Sequence, residues 1–156
     1  MPSLQITTKI GCNIACSYCP QQRLIRLYKG RSSNLLMSLV NFLTYIEKVP
    51  THVDIWFAGM SEPWLNPDCT EMLLYAHDKG HRICVFTTLI GMKLSDLDLI
   101  ESVPFGFFQV HLPSDLGHEK IRVGDDYLAV LDKISKSDIN TSYHCHGKAP
   151  DFRVKR

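Results

Sequence analysis

The run Ile83-Cys84-Val85-Phe86-Thr87 is an almost unbroken apolar pentapeptide, and it constrains the fold more than any other stretch. A strand with one face in water alternates apolar and polar residues. A strand that does not alternate suits a parallel sheet covered on both faces. Parallel neighbours need long crossover connections, and helical patterns lie where such crossovers belong. Leu39, Phe42, Leu43 and Ile46 repeat at helical spacing, with Ser38 placed to cap the start and Pro50 closing the segment. Asp68-Cys69-Thr70-Glu71 has the form of a capping box and opens a helix through Met72, Leu73 and Ala76, stopped at Gly80. Ser95 is read as the cap of another helix reaching about Val103, and Tyr127, Leu128, Val130, Leu131 and Ile134 mark one more. Strands are expected at 4–10, 53–57, 105–112 and from 140 to 144, and a short helix near 22–28.

Strands alternating with helices indicate parallel βαβ units with right-handed crossovers. The pattern alone leaves two architectures open, a doubly wound sheet and a barrel or barrel segment. A chain of 156 residues fits one domain, read as 1–156, and can bury roughly 70% of its unfolded surface. Seventeen Lys and Arg against sixteen Asp and Glu leave a net charge of +1. That balance gives no nucleic-acid signal and no affinity for an anionic membrane. Apolar runs are too short for a spanning helix. The first six residues lack the basic and apolar regions of a signal peptide.

The chemistry concentrates in Gly11-Cys12-Asn13-Ile14-Ala15-Cys16-Ser17-Tyr18-Cys19-Pro20. Three thiolates within eight residues can hold three corners of an iron–sulfur cube and leave the fourth iron open. Four-cysteine ligation is the usual electron-transfer arrangement, whereas an open position admits a substrate or cofactor, as in catalytic zinc sites. A structural zinc site needs four ligands, and no second Cys-x2-Cys or His-x3-5-His pair follows. Cys69, Cys84 and Cys145 are scattered and read as small buried hydrophobes. Free thiolates call for a reducing compartment, so the expected location is cytoplasmic.

This cysteine motif, Tyr18 before its third cysteine included, resembles the signature of the radical S-adenosylmethionine (SAM) superfamily. The stretch after the second expected strand, Ala58-Gly59-Met60-Ser61-Glu62-Pro63, looks like that family's Gly-Gly-Glu-Pro motif, with Met60 and Ser61 where glycines are usual. The resemblance implies a [4Fe–4S] cluster on Cys12, Cys16 and Cys19. It further implies that the open iron binds the amino and carboxylate groups of SAM, and that Glu62 with Gly59 and Ser61 receives the ammonium. The fold it implies is a partial (β/α) barrel of about five parallel strands, one short of the family's usual six. The residues after His146 show no sixth strand and no further cysteine cluster, so the core is read either as shortened or as lacking a C-terminal portion.

Other polar groups fall at expected strand ends, where α/β folds bind ligands. Thr87 and Thr88 resemble the family's Thr-Asn-Gly turn without its asparagine. They are either donors to the SAM carboxylate or ordinary strand residues. Ser114, after the fourth strand, is a candidate SAM contact, and Tyr18 is placed with the cofactor. His144 and His146 share a face if extended and with His111 would reach the barrel mouth, as ligands, proton relays or buried imidazoles with partners. Arg23, Arg26, Lys29 and Arg31 form either a basic lip or a solvated loop.

The leading functional reading is reductive cleavage of SAM to a 5′-deoxyadenosyl radical that abstracts hydrogen from an unknown substrate. The resemblance implies an external one-electron reductant of flavodoxin or ferredoxin type. The alternatives are a non-catalytic iron–sulfur or SAM-binding fragment and a zinc-stabilised interaction module. A terminal strand at 140–144 would leave an open edge, a template for association, with poor order expected beyond Tyr143.

Overall fold

The computed structural model describes residues 1–149. Five parallel strands form one sheet in the order β1 (Ser3–Ile6), β2 (Asp54–Phe57), β3 (Ile83–Thr87), β4 (Phe107–His111) and β5 (Thr141–His144). Five helices connect them: α1 (Gln21–Lys29), α2 (Leu39–Ile46), α3 (Cys69–Asp78), α4 (Leu94–Ile100) and α5 (Asp125–Lys136). A doubly wound sheet reverses its strand order partway. Strictly sequential order instead is the progression of a barrel, here open between β1 and β5. The architecture is therefore a partial (β/α) barrel.

Register explains which side chains face which way. Ile6 pairs with Phe57, Phe57 with Val85, Val85 with Phe108, and Phe108 with Thr141. This row and its alternates turn toward the helices, where Ile55, Phe57, Ile83, Val85, Phe108 and Val110 are buried with Phe42, Met72, Leu73, Leu97 and Ile134. Successive helices α2 to α5 pack against one another across that face. The opposite, concave face carries Trp56, Phe86 and Phe107, with Trp56 stacked on Phe86 at 5.4 Å between centroids. These rings are only half-buried. The unbroken apolar run of β3 thus reflects helices on one face and an aromatic lining on the other.

Several local expectations change. β1 stops at Ile6 rather than running to residue 10. Beyond it the chain turns inward, and buried Thr8 donates its hydroxyl to the Pro63 carbonyl at 2.9 Å. Ser38 caps α2 as expected, accepting from the Asn41 amide. The capping box at Asp68 does not form: its side chain caps nothing, and its amide donates to Asn66 Oδ1 at 3.0 Å. Asn66 is buried, so its amide side chain is better placed than Asp68 to organise this turn. Ser95 lies inside α4, because Asp96 accepts from the Lys93 amide and moves the start back to Leu94. Gly80 does stop α3, at φ +90°, with the His81 amide closing onto the Ala76 carbonyl.

β5 pairs with β4 as far as His144, and the Leu112 amide donates to the His144 carbonyl beyond it. The backbone of Asp115 and Lys148 is also bonded, at 3.0 Å. These bonds tie residues 144–149 to the connection after β4, and the rest of the segment beyond Tyr143, residues 150–156, lies outside the described residues. Among the described residues no helix is long and apolar enough to cross a membrane.

Candidate functional site

The connection between β1 and α1 carries the cysteines, and it is held from three sides. Gly11 adopts φ +99°, a conformation open to glycine, where the chain leaves the sheet. Gln21, buried at the start of α1, accepts from the Cys12 amide at 2.9 Å. Ser61, after β2, donates its hydroxyl to the Gly11 carbonyl at 3.1 Å. The third anchor comes from the connection after β4. The Ser17 amide donates to the His118 carbonyl, the Lys120 amide to the Ile14 carbonyl, and Tyr18 Oη donates to Glu119 at 3.0 Å. A loop of this length has few local bonds to fix it, so these distant partners determine where the thiols stand.

Cys12, Cys16 and Cys19 are free thiols, each half-buried. Burial pushes the Cys16 thiol above its ordinary value. The nearby Tyr18 hydroxyl opposes that shift, and the neighbouring Cys12 and Cys19 add to it. A metal must therefore displace its proton on binding. Among the described residues, the one set of three metal-ligating side chains close enough to share an ion does not include these cysteines. A mononuclear zinc needs its ligands that close. A cluster that places each thiolate on a different iron needs them further apart.

The three cysteines line one open cleft of about 150 Å³ with Tyr18, Gly59, Ser61, Glu62, Thr88, Phe86 and His111. The cleft sits at the C-terminal ends of β2, β3 and β4, where this architecture places ligands. A larger groove of about 520 Å³ lies between the turn after β3 and the start of α5. It is lined by Leu89, Met92, Arg122 and Tyr127 among others and contains no thiol or imidazole. Chemistry rather than size singles out the cysteine cleft.

Glu62 is 3% exposed, and the chain itself fills its acceptor sites. Oε1 accepts from Thr87 Oγ1 at 2.7 Å and from the Trp64 amide at 3.3 Å. Oε2 accepts from the Thr88 amide at 2.6 Å and from Thr88 Oγ1 at 2.7 Å. A carboxylate offers about four lone-pair positions, so little acceptor capacity is left over. Burial raises the pKa of Glu62, and the four donors work against that rise. Its evident local task is to tie the loop after β2 to the end of β3.

Gly59 has φ +108°, and a Cβ there would run into the Thr7 hydroxyl. Gly59→Ala is expected to cost roughly 1–3 kcal/mol, from the left-handed backbone and the collision together. A lowered urea midpoint would register this; an unchanged midpoint would show that the loop has another available path.

Of the residues named from sequence, Cys12, Cys16, Cys19, Tyr18, Gly59, Ser61, Glu62 and Thr88 share the cleft. Ser114 is buried behind it, donating to Glu119 at 3.0 Å, and is not among the lining residues. Arg26 and Lys29 fall in the last turn of α1, exposed as a solvated helix face would be. Sequence reasoning missed Gln21 and Glu119. Gln21 follows the motif closely enough that its proximity could have suggested it. Glu119, buried and bonded to both Tyr18 and Ser114, had no local signal.

No sequence family and no curated protein matches this chain. Among solved structures the fold is similar to that of a crystal structure of BtrN in complex with AdoMet and 2-DOIA, with a TM-score of 0.64 and 16% identity. The match covers 94% of this chain and 58% of that one. The chain therefore spans somewhat over half the length of that protein, and at this identity the likeness is one of fold.

Proposed function

We propose that this chain is a radical SAM enzyme core that binds a [4Fe–4S] cluster through Cys12, Cys16 and Cys19 and S-adenosylmethionine beside it. The observation that carries the reading is the convergence of three free thiols with Gly59, Ser61, Glu62 and Thr88 on one cleft at the strand ends. The fold likeness to a protein solved with AdoMet supports it.

When bound, the cluster supplies the electron that cleaves SAM reductively, giving a 5′-deoxyadenosyl radical that abstracts hydrogen from substrate. The residues of the chain position and shield. Gly59 lets the backbone turn close to β1, and Ser61 ties that turn to the cysteine loop. Glu62 contributes negative charge toward the SAM ammonium and orients Thr88. The aromatic lining of Phe86 limits water on the concave side. Tyr18 braces the thiol loop against Glu119. An external flavodoxin- or ferredoxin-type reductant completes the scheme, and the substrate is unassigned.

Anaerobic reconstitution with iron and sulfide tests the reading. The expected result is a cluster whose EPR spectrum changes when SAM is added, with 5′-deoxyadenosine released after reduction. A SAM-sensitive cluster that releases none would indicate a binding fragment without catalysis. Stoichiometric zinc with no iron uptake would point to a zinc-stabilised module and end the proposal.

A further inference from the structure

Three imidazoles converge beside the cleft, with His111 in its wall and His146 packed on Tyr18 at 4.5 Å between ring centroids. His111 ends β4 and His144 ends β5, and the two are register partners on the concave face. His146, two residues on, returns to the same side. One ring nitrogen from each lies within 4.8 Å of the other two. Ring centroids are 5.1 Å apart for His111 and His144 and 4.7 Å for His144 and His146.

Histidines gathered this way ordinarily have hydrogen-bond partners that account for them. His81 and His118 do, through the Val53 carbonyl and the Ser17 hydroxyl. Among the described residues, the rings of His111, His144 and His146 have none. The neighbouring backbone is fixed nonetheless. The His144 carbonyl accepts from the Leu112 amide, and the Lys148 amide donates to Asp115 Oδ1 at 3.0 Å. Gly147, at φ +108°, turns the chain between His146 and that anchor.

We propose that His111, His144 and His146 form a binding site for one divalent transition-metal ion, distinct from the cysteine motif. Imidazole suits zinc, cobalt, nickel and iron(II), and a three-histidine set leaves coordination positions open. His111 also lines the cysteine cleft, so an open position would face the same space. At a metal–nitrogen bond of about 2.0–2.1 Å, tetrahedral ligands stand about 3.4 Å apart. The rings must then draw in by on the order of 1 Å, a side-chain rotation that half-buried residues at strand ends can make. The inference does not depend on the radical SAM reading, because none of its ligands is a cysteine.

Cobalt(II) is the probe, in the 156-residue chain carrying alanine at Cys12, Cys16 and Cys19 so that the thiolates of the motif cannot compete. The expected result is one cobalt retained per chain after gel filtration, with a visible spectrum free of sulfur-to-cobalt charge transfer. His144→Ala or His146→Ala in that background should weaken retention by at least about 10- to 100-fold. If circular dichroism shows that the triple variant does not fold, serine at the same three positions takes its place. No retained cobalt, or retention unchanged by both histidine substitutions, would overturn the proposal.

Discussion

Alanine at any one of Cys12, Cys16 or Cys19 is expected to abolish iron–sulfur cluster assembly, while alanine at Cys69 leaves iron content unchanged. The contrast rests on position. The first three thiols line an open cleft and are reachable by incoming iron and sulfide. Cys69 and Cys84 are fully buried, one at the start of α3 and the other within β3. Burial raises the Cys69 thiol well above its ordinary value, so it persists as a neutral thiol and behaves as a small apolar side chain. Cys145 is partly exposed but stands after β5, where its thiol donates weakly to the Pro113 carbonyl. With three ligands there is no spare, and two thiolates do not hold a cubane against solvent and oxidation. Iron and sulfide analysis after reconstitution reads the effect. Equal loss of iron in Cys69, Cys84 or Cys145 variants would reassign the ligands.

How far such a site is legible from sequence depends on the range of the interactions that build it. The cysteine spacing and the Gly59–Glu62 turn are local, and each follows from a few consecutive residues. The alternation of strands and helices is also local, and sequential strand order then decided for a barrel segment over a doubly wound sheet. Failures came where a distant residue outcompeted a nearby one. The Asp68 box was pre-empted by Asn66, whose side chain also donates to the carbonyls of Thr8 and Met37. The first strand ended early because Thr8 is drawn in toward Pro63, 55 positions away. Glu119 is bonded to Tyr18 across 101 positions, and no pattern around Leu116-Gly117-His118-Glu119 signals that. Glu62 is the mixed case. Its motif was visible, but three of the four donors that occupy it come from Thr87 and Thr88 at the end of β3, and only the Trp64 amide is local.

Those four donors make Glu62 the residue whose substitution separates architecture from ligand binding. Glu62→Ala would strand the buried amides of Trp64 and Thr88, at about 1–3 kcal/mol each, while the threonine hydroxyls can turn to other acceptors. Glu62→Gln keeps the shape but sets an NH2 against one of the two amides, so a single such penalty is expected. The raised pKa of Glu62 adds a sign. Its folded value lies above the ordinary 4.5 of a glutamate, so its contribution is full below that value and is lost as pH rises through the folded one. Glutamine does not titrate there. The stability advantage of the wild type over Glu62→Gln should therefore shrink as pH rises above about 4.5 in urea unfolding. A pH-independent difference would mean that the four donors cancel the effect of burial. SAM affinity is the independent arm. If the SAM ammonium takes the place of a threonine hydroxyl on Glu62, losing that charge-assisted bond should weaken SAM binding by about 10- to 150-fold in the reconstituted protein, the equivalent of about 1.5–3 kcal/mol. A Gln variant that loses stability but binds SAM normally would leave Glu62 as the tie between β2 and β3 and remove it from the ligand.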